Sequence, residues 1–248
     1  MEMRQALCEC LDEMMAENEN IVVIDADLAK PNGTFPLRKK YPERAIDVGI
    51  AEQNMASVAA GMSSYGFIPF ITSFTPFASR RICDQIAISI AYAKQNVKII
   101  GSDPGISAEF NGGTHMSMED IGVLRSIPEL VIYEPVDVAQ FKQALPQIVA
   151  YEGPVYIRMF RKTIDDVFTD ANYKFDLFGA DCIQEGTAVT IFCSGIMVQE
   201  TMKANEILKQ EGIDAEIINI HTIKPIDRDA VVASAKKTGA VVVAENHN

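Results

Sequence analysis

The side chain best placed for proton transfer is Glu52, which follows the apolar run AIDVGI at residues 45–50. The sequence predicts that this run is a strand and that Glu52 lies in the first turn of the next helix, where the helix dipole favours a carboxylate. The apolar neighbours Ile50 and Met55 predict partial burial, which suits a group that exchanges a proton. A single glutamate in this position more often only complements the helix dipole, so Glu52 alone does not define a reaction.

Other side chains that could bind a ligand also follow predicted strands. They are Asp25 and Asp27 at the end of the run 21–27, Phe74 and Phe77 after the run 67–72, and His115 at the end of the Gly-rich loop 103–115. Ligands of open α/β sheets bind at the carboxyl ends of the strands, so we expect these groups at one sheet edge with Glu52. Each of them also has a plain alternative role in a turn, in the core or on the surface.

The elements that position these groups alternate between strand and helix. Strands are predicted at residues 21–27, 45–50, 67–72, 96–102, 129–135 and 154–160, and helices at 2–17, 51–66, 77–95, 118–126 and 137–151. This alternation predicts an α/β fold with a doubly wound parallel sheet, which forms a first domain at residues 1–165.

A second unit follows a predicted linker at residues 166–186. Within residues 187–248, strands are predicted at 188–195, 213–223 and 240–246, with a helix after each of the first two. The last apolar strand has no covering helix, which is a poor end for a domain. We therefore expect the second α/β domain to be incomplete, or truncated.

Composition and charge argue against several function classes. The chain has 248 residues and a net charge of −12, which disfavours binding to nucleic acid or to an anionic membrane. No apolar run approaches the ~20 residues that span a bilayer, and the N-terminus has no signal-peptide pattern. The five cysteines and three histidines lack zinc-site spacing, so we expect reduced thiols, a cytoplasmic location and no metal ligands in this chain.

Longer stretches resemble the transketolase family, and most closely its split form, in which one chain binds the cofactor diphosphate and another binds the pyrimidine. The stretches are DADLAKPNGTF, DVGIAEQNMASVAAGM, PFITSFTPFASRRICDQI, SDPGISAEFNGGTHMSMEDIGVLRSIPELVIYEP and GPVYIRMFRK. The tail HTIKPIDRDAVVASAKKTGAVVVAENH resembles the start of the family's C-terminal domain. The combination of GIAEQNM with GGTHM is specific, and the resemblance implies a pyrimidine-binding domain for thiamine diphosphate.

The resemblance implies cofactor roles for three residues. Glu52 matches the glutamate that hydrogen-bonds the N1′ atom of the aminopyrimidine and promotes its imino form, which removes the thiazolium C2 proton. Phe77 matches the aromatic residue that packs on the pyrimidine ring, with Phe74 as a second candidate. The cofactor supplies the electron sink, and the protein supplies orientation and proton transfer.

Substrate roles are implied for several residues around the same loop. His115 matches a histidine that contacts cofactor and substrate, Arg158 matches an arginine that holds the substrate phosphate, and Arg4 aligns more loosely with another such arginine. Asn111 stands where the family has an acidic residue against a substrate hydroxyl, so it keeps hydrogen bonding but loses charge.

Two further departures bear on the substrate. Asp103 stands where many relatives have a basic residue near the start of the loop, and we expect it among the substrate-binding residues. Lys30 stands near the place of a phosphate-contacting serine and could substitute as a cation. These changes leave the sugar phosphate undefined.

The diphosphate-binding half of the family, with its GDG…N metal motif, does not occur in this sequence. The resemblance therefore implies that an N-terminal partner subunit binds Mg²⁺ and the diphosphate, in a dimer of heterodimers whose active site lies at the interface. We expect transfer of a two-carbon ketol group between sugar phosphates. The alternatives are a deoxyxylulose-phosphate-synthase-like enzyme, a 2-oxo acid dehydrogenase beta-type subunit, or a non-catalytic regulatory subunit.

Overall fold

The computed structural model describes residues 1–247, leaving aside the side chain of Phe110. Its strands are β1 (Ile21–Asp25), β2 (Ala45–Asp47), β3 (Ile68–Phe74), β4 (Lys98–Ser102), β5 (Val131–Tyr133), β6 (Val155–Met159), β7 (Asp181–Gln184), β8 (Val189–Cys193), β9 (Ala215–Asn219), β10 (Thr222–Lys224) and β11 (Val241–Ala244). These short, β-branched runs are buried along most of their length in the first part of the chain, as expected for strands of a covered parallel sheet.

The α-helices are α1 (Met3–Glu17), α2 (Ala29–Asn32), α3 (Phe35–Lys40), α4 (Glu52–Ser64), α5 (Thr75–Ala78), α6 (Asp120–Leu124), α7 (Val138–Ala150), α8 (Met197–Gln210) and α9 (Arg228–Thr238). A π-helical segment spans Gln85–Tyr92, and 3-10 turns span Arg80–Ile82 and Ile106–Asn111. Among the described residues, no helix is both long and apolar enough to cross a membrane.

The large sheet has seven strands in the order β10-β5-β6-β4-β3-β1-β2. Strands β1 to β6 run parallel, whereas β10 pairs antiparallel with β5. Helices α1 and α7 share one hydrophobic cluster on the sheet, and α4 and the π-helical segment share another. The predicted α/β fold with a doubly wound parallel sheet is therefore confirmed.

A second sheet has four strands in the order β11-β8-β9-β7, with β7 antiparallel to β9. Two details differ from the prediction. Strand β7 lies inside the segment that was predicted to be a linker. The predicted strand 213–223 is two strands, β9 and β10, which are separated by Ile220 and His221 and belong to different sheets.

The helix predicted at residues 77–95 is also interrupted. It consists of α5, a 3-10 turn and the π-helical segment. Ser79 separates the first two pieces with a non-helical backbone (φ −124°, ψ −91°), and its hydroxyl donates to the carbonyl oxygen of Thr75 at 2.6 Å. After the break, Arg81 reaches the start of α4, where it contacts Glu52.

Candidate active site

Glu52 is the first residue of α4, and only 4% of it is exposed. The chain enters the helix through Gly49, whose φ of +75° is in the left-handed region that favours glycine. No side chain caps the helix at Ala51, so the backbone N–H groups of the first turn favour the carboxylate of Glu52. The Oε1 atom of Glu52 accepts a hydrogen bond from Nη1 of Arg81 at 2.9 Å.

An aromatic cluster continues the site from Arg81. The guanidinium carbon of Arg81 lies 4.0 Å from the ring centroid of Phe77. The rings of Phe74 and Phe77 lie 6.4 Å apart, and His115 packs edge-on at 5.3 Å from each of them. Glu52, Phe74, Phe77 and His115 therefore lie in one continuous set of contacts at the carboxyl edge of the sheet.

The cluster ends at a group of cations. The guanidinium carbon of Arg161 lies 4.9 Å from the Phe74 centroid. Nη1 of Arg161 and Nη1 of Arg4 each donate to the carbonyl oxygen of Pro31 at 3.4 Å, so the two guanidinium groups are neighbours. Arg4 also forms an ion pair with Glu2 at 2.7 Å. Two arginines side by side at the end of an aromatic cluster can bind an anionic group.

Asp103 does not lie open to a substrate, contrary to the sequence-based expectation. Its side chain is fully buried and forms an ion pair with Nε of Arg161. It also accepts a hydrogen bond from the backbone N–H of Arg161 at 3.3 Å. Burial raises the pKa of the Asp103 carboxyl, and the Arg161 guanidinium opposes that rise. Asp103 can thus influence a substrate only through Arg161.

Arg158 also fails to fit the role of a phosphate ligand. It is 0% exposed, and its guanidinium donates to the carboxylates of Asp120 and Glu134 and to the carbonyl oxygen of Asn246. All its nitrogens are committed to these groups, so it cannot reach a ligand. Arg161 lies beyond the carboxyl end of β6, whereas Arg158 lies within that strand. The rule that ligands bind at the carboxyl ends of strands would have favoured Arg161 over Arg158.

The remaining candidates divide into structural and accessible groups. Asp25 is buried and accepts hydrogen bonds from the hydroxyls of Thr34, at 2.8 Å, and Thr72. Asp27 shapes a turn with φ +59°, and its N–H donates to Asp47 at 2.9 Å. In contrast, Asn111 is exposed at the end of a 3-10 turn, and Lys30 is exposed with its Nζ 5.2 Å from the ring centroid of Phe35.

One group of potential metal ligands lies elsewhere in the described part of the chain. Ligand atoms of Cys182, Glu185 and Glu216 lie within 4.8 Å of one another in the second sheet region. The ammonium group of Lys237 forms ion pairs with both glutamates and compensates part of their negative charge.

Comparisons with known families and structures identify the chain. Residues 1–165 match the family described as "Transketolase, pyrimidine binding domain", and residues 179–248 match "Transketolase, C-terminal domain". The chain belongs to the transketolase family. The resemblance based on GIAEQNM and GGTHM is thereby confirmed.

Relatives of this transketolase-family chain include split enzymes. It is 52% identical over 244 residues to "6-deoxy-6-sulfo-D-fructose transketolase subunit SqwH" of Clostridium sp. (strain MSTE9), covering 98% of this chain and 76% of the relative. It is 38% identical to "Putative transketolase C-terminal section" of Methanocaldococcus jannaschii, covering 99% of this chain and 77% of the relative. The solved structure "Split gene transketolase, inactive beta4 tetramer" matches with a TM-score of 0.90 and 40% identity, covering 100% of this chain and 80% of that one.

Membership of the family implies the use of thiamine diphosphate, and the chemistry of Glu52 and Phe77 is compatible with its aminopyrimidine ring. The guanidinium of Arg81 is a flat hydrogen-bond donor that both pairs with Glu52 and lies over Phe77. The resemblance implies the same two kinds of contact for the aminopyrimidine, one with a glutamate and one with an aromatic ring. Glu52 and Phe77 are therefore placed so that one flat group donates to the carboxylate while it stacks on the ring.

Sequence reasoning missed two residues of this site, Arg81 and Arg161. Arg81 has a neighbour of the same type, Arg80, which points instead to Glu119 at 2.6 Å. The pattern SRRICDQ does not distinguish the two arginines. In a continuous helix, the helical period would predict which arginine faces the site, but the break at Ser79 interrupts that period.

Proposed function

We propose that this chain is the pyrimidine-binding subunit of a thiamine-diphosphate-dependent transketolase that transfers a two-carbon ketol group between sugar phosphates. The observation that carries the proposal is the buried carboxylate of Glu52 at a helix start, which is connected through Arg81 to the rings of Phe77 and Phe74 and through Phe74 to an arginine pair. A partner subunit would bind the diphosphate and Mg²⁺, which gives an active site at the interface and a dimer of heterodimers.

In this proposal each residue has a defined task. When bound, thiamine diphosphate supplies the nucleophilic thiazolium carbon and takes up the electron pair of the cleaved bond. Glu52 holds a proton at the ring nitrogen of the pyrimidine, and its burial strengthens that hydrogen bond. Phe77 and Phe74 fix the plane of the ring and exclude water. His115 and Asn111 orient the sugar, and Arg4 and Arg161 bind its anionic end.

A second candidate donor is a sulfonated ketose. The relative with 52% identity is named for 6-deoxy-6-sulfo-D-fructose. In addition, the arginines at the anionic end are each compensated by a carboxylate, Arg161 by Asp103 and Arg4 by Glu2. A sulfonate carries a single negative charge, whereas a phosphate ester carries about −1.5 to −2 at pH 7. The compensated charge favours the sulfonate.

The test is reconstitution with the diphosphate-binding subunit, thiamine diphosphate and Mg²⁺. Fructose 6-phosphate, 6-deoxy-6-sulfofructose and pyruvate are compared as donors with glyceraldehyde 3-phosphate as acceptor. We expect ketol transfer from the ketoses, with a higher kcat/KM for the sulfonated donor, and no turnover by either subunit alone. If pyruvate were consumed and neither ketose were, the result would instead favour the deoxyxylulose-phosphate-synthase-like alternative. Full turnover by the isolated chain would contradict the split site.

The role of Glu52 is tested by the substitution Glu52→Gln, which keeps the shape of the side chain but removes the proton acceptor. We expect turnover to fall by at least ~100-fold, the usual contribution of a group that transfers a proton. The matched control is Glu17→Gln, because Glu17 is exposed at the end of α1. Size-exclusion chromatography with the partner should give the same complex for both variants. Equal activity of the two variants would exclude the proposed role.

A further inference from the structure

The second domain contacts the Gly-rich loop 103–115 through Asn246, which follows β11. We call this segment the substrate loop, because the proposed function gives its residues Asn111 and His115 contacts with the sugar. Asn246 is only 5% exposed. Its Nδ2 atom donates to the carbonyl oxygen of Pro104 at 3.0 Å, and the N–H of Ile106 donates to its Oδ1 atom at 3.1 Å. The side-chain amide therefore satisfies backbone groups on both sides of Gly105, as a neighbouring peptide group would.

This contact requires glycine at position 105. Gly105 has φ +58°, in the left-handed region, and a Cβ atom there would overlap the carbonyl oxygen and the side chain of Asn246. The N–H of Gly105 also donates to the carbonyl oxygen of Ser117 at 3.0 Å. Because Ser117 follows the loop 103–115, Asn246 holds the point where the two ends of the loop meet.

The backbone of Asn246 is fixed in turn by Arg158. Nη2 of Arg158 donates to the carbonyl oxygen of Asn246 at 2.6 Å. The same guanidinium is bound by Asp120 at the start of α6, at 2.8 Å, and by Glu134 after β5. Glu134 also accepts a hydrogen bond from the hydroxyl of Ser194 in the second domain at 2.6 Å. A fully buried and paired network of this kind is rigid, since breaking any one bond leaves an unsatisfied group.

We propose that Asn246 is a positioning residue that sets the place of the substrate loop, so that the second domain determines where Asn111 and His115 meet the sugar. Asn246 does so from outside the pocket, through Pro104, Gly105 and Ile106. The proposal rests on the proposed function, because that function gives Asn111 and His115 their substrate roles. The buried Arg158 has a structural role in this proposal, because it binds the backbone of Asn246.

The first experiment measures the loop itself. Amide hydrogen exchange is followed by mass spectrometry in a peptide covering residues 103–117, for the wild-type chain, Asn246→Ala and Asn246→Asp, each in complex with the partner subunit. The alanine variant loses both loop hydrogen bonds, and the aspartate variant keeps only the acceptor for Ile106. We expect exchange about ten-fold faster in Asn246→Ala, with an intermediate increase in Asn246→Asp. This readout does not depend on turnover.

The second experiment separates positioning from stability. In the reconstituted complex, Asn246→Ala should lower kcat/KM for the sugar donor about ten-fold, while thiamine diphosphate affinity measured by calorimetry changes less than about two-fold. The matched control is Thr222→Val, which removes a buried hydrogen bond to the carbonyl oxygen of Leu177 where β10 joins the first sheet, outside the network that holds Asn246. It should leave loop exchange and kcat/KM unchanged.

The outcomes distinguish this inference from the proposed function. Unchanged exchange in Asn246→Ala would overturn the inference, and so would an equal effect of Thr222→Val on the loop. Unchanged kcat/KM in Asn246→Ala would also overturn it, because the loop would then not position the substrate residues. If the wild-type complex transferred no ketol group at all, the proposed function would fail while the exchange result still reported on the anchoring of the loop.

Discussion

At the scale of single residues, the Glu52 carboxylate and the Phe77 ring are both occupied by Arg81. The guanidinium pairs with Glu52 at 2.9 Å and lies 4.0 Å from the Phe77 centroid. The Arg81 side chain is partly exposed, so it has room to move away from Glu52 and Phe77. An aminopyrimidine that binds to the same two groups must displace it, which subtracts the free energy of these contacts from the binding free energy of the cofactor.

Replacing Arg81 should therefore strengthen cofactor binding. An exposed ion pair and a cation–π contact are each worth up to about 1 kcal/mol, so we expect thiamine diphosphate to bind the reconstituted complex about five-fold more tightly in Arg81→Met. Isothermal titration calorimetry measures this directly. The control is Arg80→Met, because Arg80 pairs with Glu119 at the surface. Weaker binding in Arg81→Met would mean that Arg81 holds the cofactor rather than competing with it.

A second prediction at this scale concerns Arg161, which the structure favours over Arg158 at the anionic end. Arg161→Lys keeps the positive charge but removes the planar guanidinium, whose N–H donors contact Asp103 and Pro31. A lysine has too compact a charge to keep these contacts and bind an anion at the same time. We expect a rise of about ten-fold in KM for anionic donors and a smaller change in kcat, measured by steady-state kinetics of the reconstituted enzyme. A non-ionic ketose donor should show no such rise. An equal rise for both donors would remove Arg161 from the anion site.

At the scale of elements, β4 begins with a lysine that has no carboxylate among its hydrogen-bond partners. Lys98 is fully buried, and its Nζ atom donates to the carbonyl oxygens of Tyr151 and Gly153 at 2.7 and 2.9 Å. Burial lowers the pKa of Lys98 to about 7. This group lies at the amino end of β4, away from the carboxyl edge that holds the site.

Lys98 should make stability depend on pH. Between pH 7 and 10 the unfolded chain binds a proton at Lys98 that the folded chain has released, so the free energy of unfolding rises with pH over this range. In Lys98→Met that contribution is absent. We expect the difference in unfolding free energy, wild type minus variant, to increase from pH 7 to pH 9 in urea titrations. A difference that stays constant with pH would contradict the lowered pKa.

At the scale of the whole molecule, the two sheets are joined by a strand and by a buried network of side chains. Strand β10, from the second part of the chain, completes the edge of the first sheet beside β5. The network of Arg158, Asp120, Glu134, Ser194 and Asn246 joins the sheets from within. The second domain is therefore part of the structure that shapes the candidate site, through the loop that Asn246 holds.

Removing the centre of this network should destabilise the whole chain. Arg158→Met leaves the carboxylates of Asp120 and Glu134 buried without their cation, and breaking a buried ion pair in this way costs about 3–5 kcal/mol. We expect a loss of that size in the free energy of unfolding, measured by urea denaturation. The comparison variant is Arg80→Met, which breaks a surface pair and should change stability by less than about 1 kcal/mol. Similar losses in both variants would contradict the central role of Arg158.

The sequence by itself determined the features that depend on short-range patterns. Runs of β-branched residues separated by helical periods specify the parallel sheet, since each run buries both faces under the helices beside it. The same order predicts that Glu52, Phe74, Phe77 and His115 lie at one sheet edge, because parallel strands end on the same side. The motifs GIAEQNM and GGTHM were enough to indicate the transketolase family.

Only the tertiary structure decided which of several similar side chains reach the site. Arg158 and Arg161 are three positions apart, yet one is buried between Asp120 and Glu134 and the other lies against Phe74. Arg80 and Arg81 are adjacent, yet only Arg81 pairs with Glu52. Asn246 meets Ile106 across 140 positions of the chain. Local periodicity carries no information about such distant partners, because their contacts are set by how the two sheets and the loop pack together.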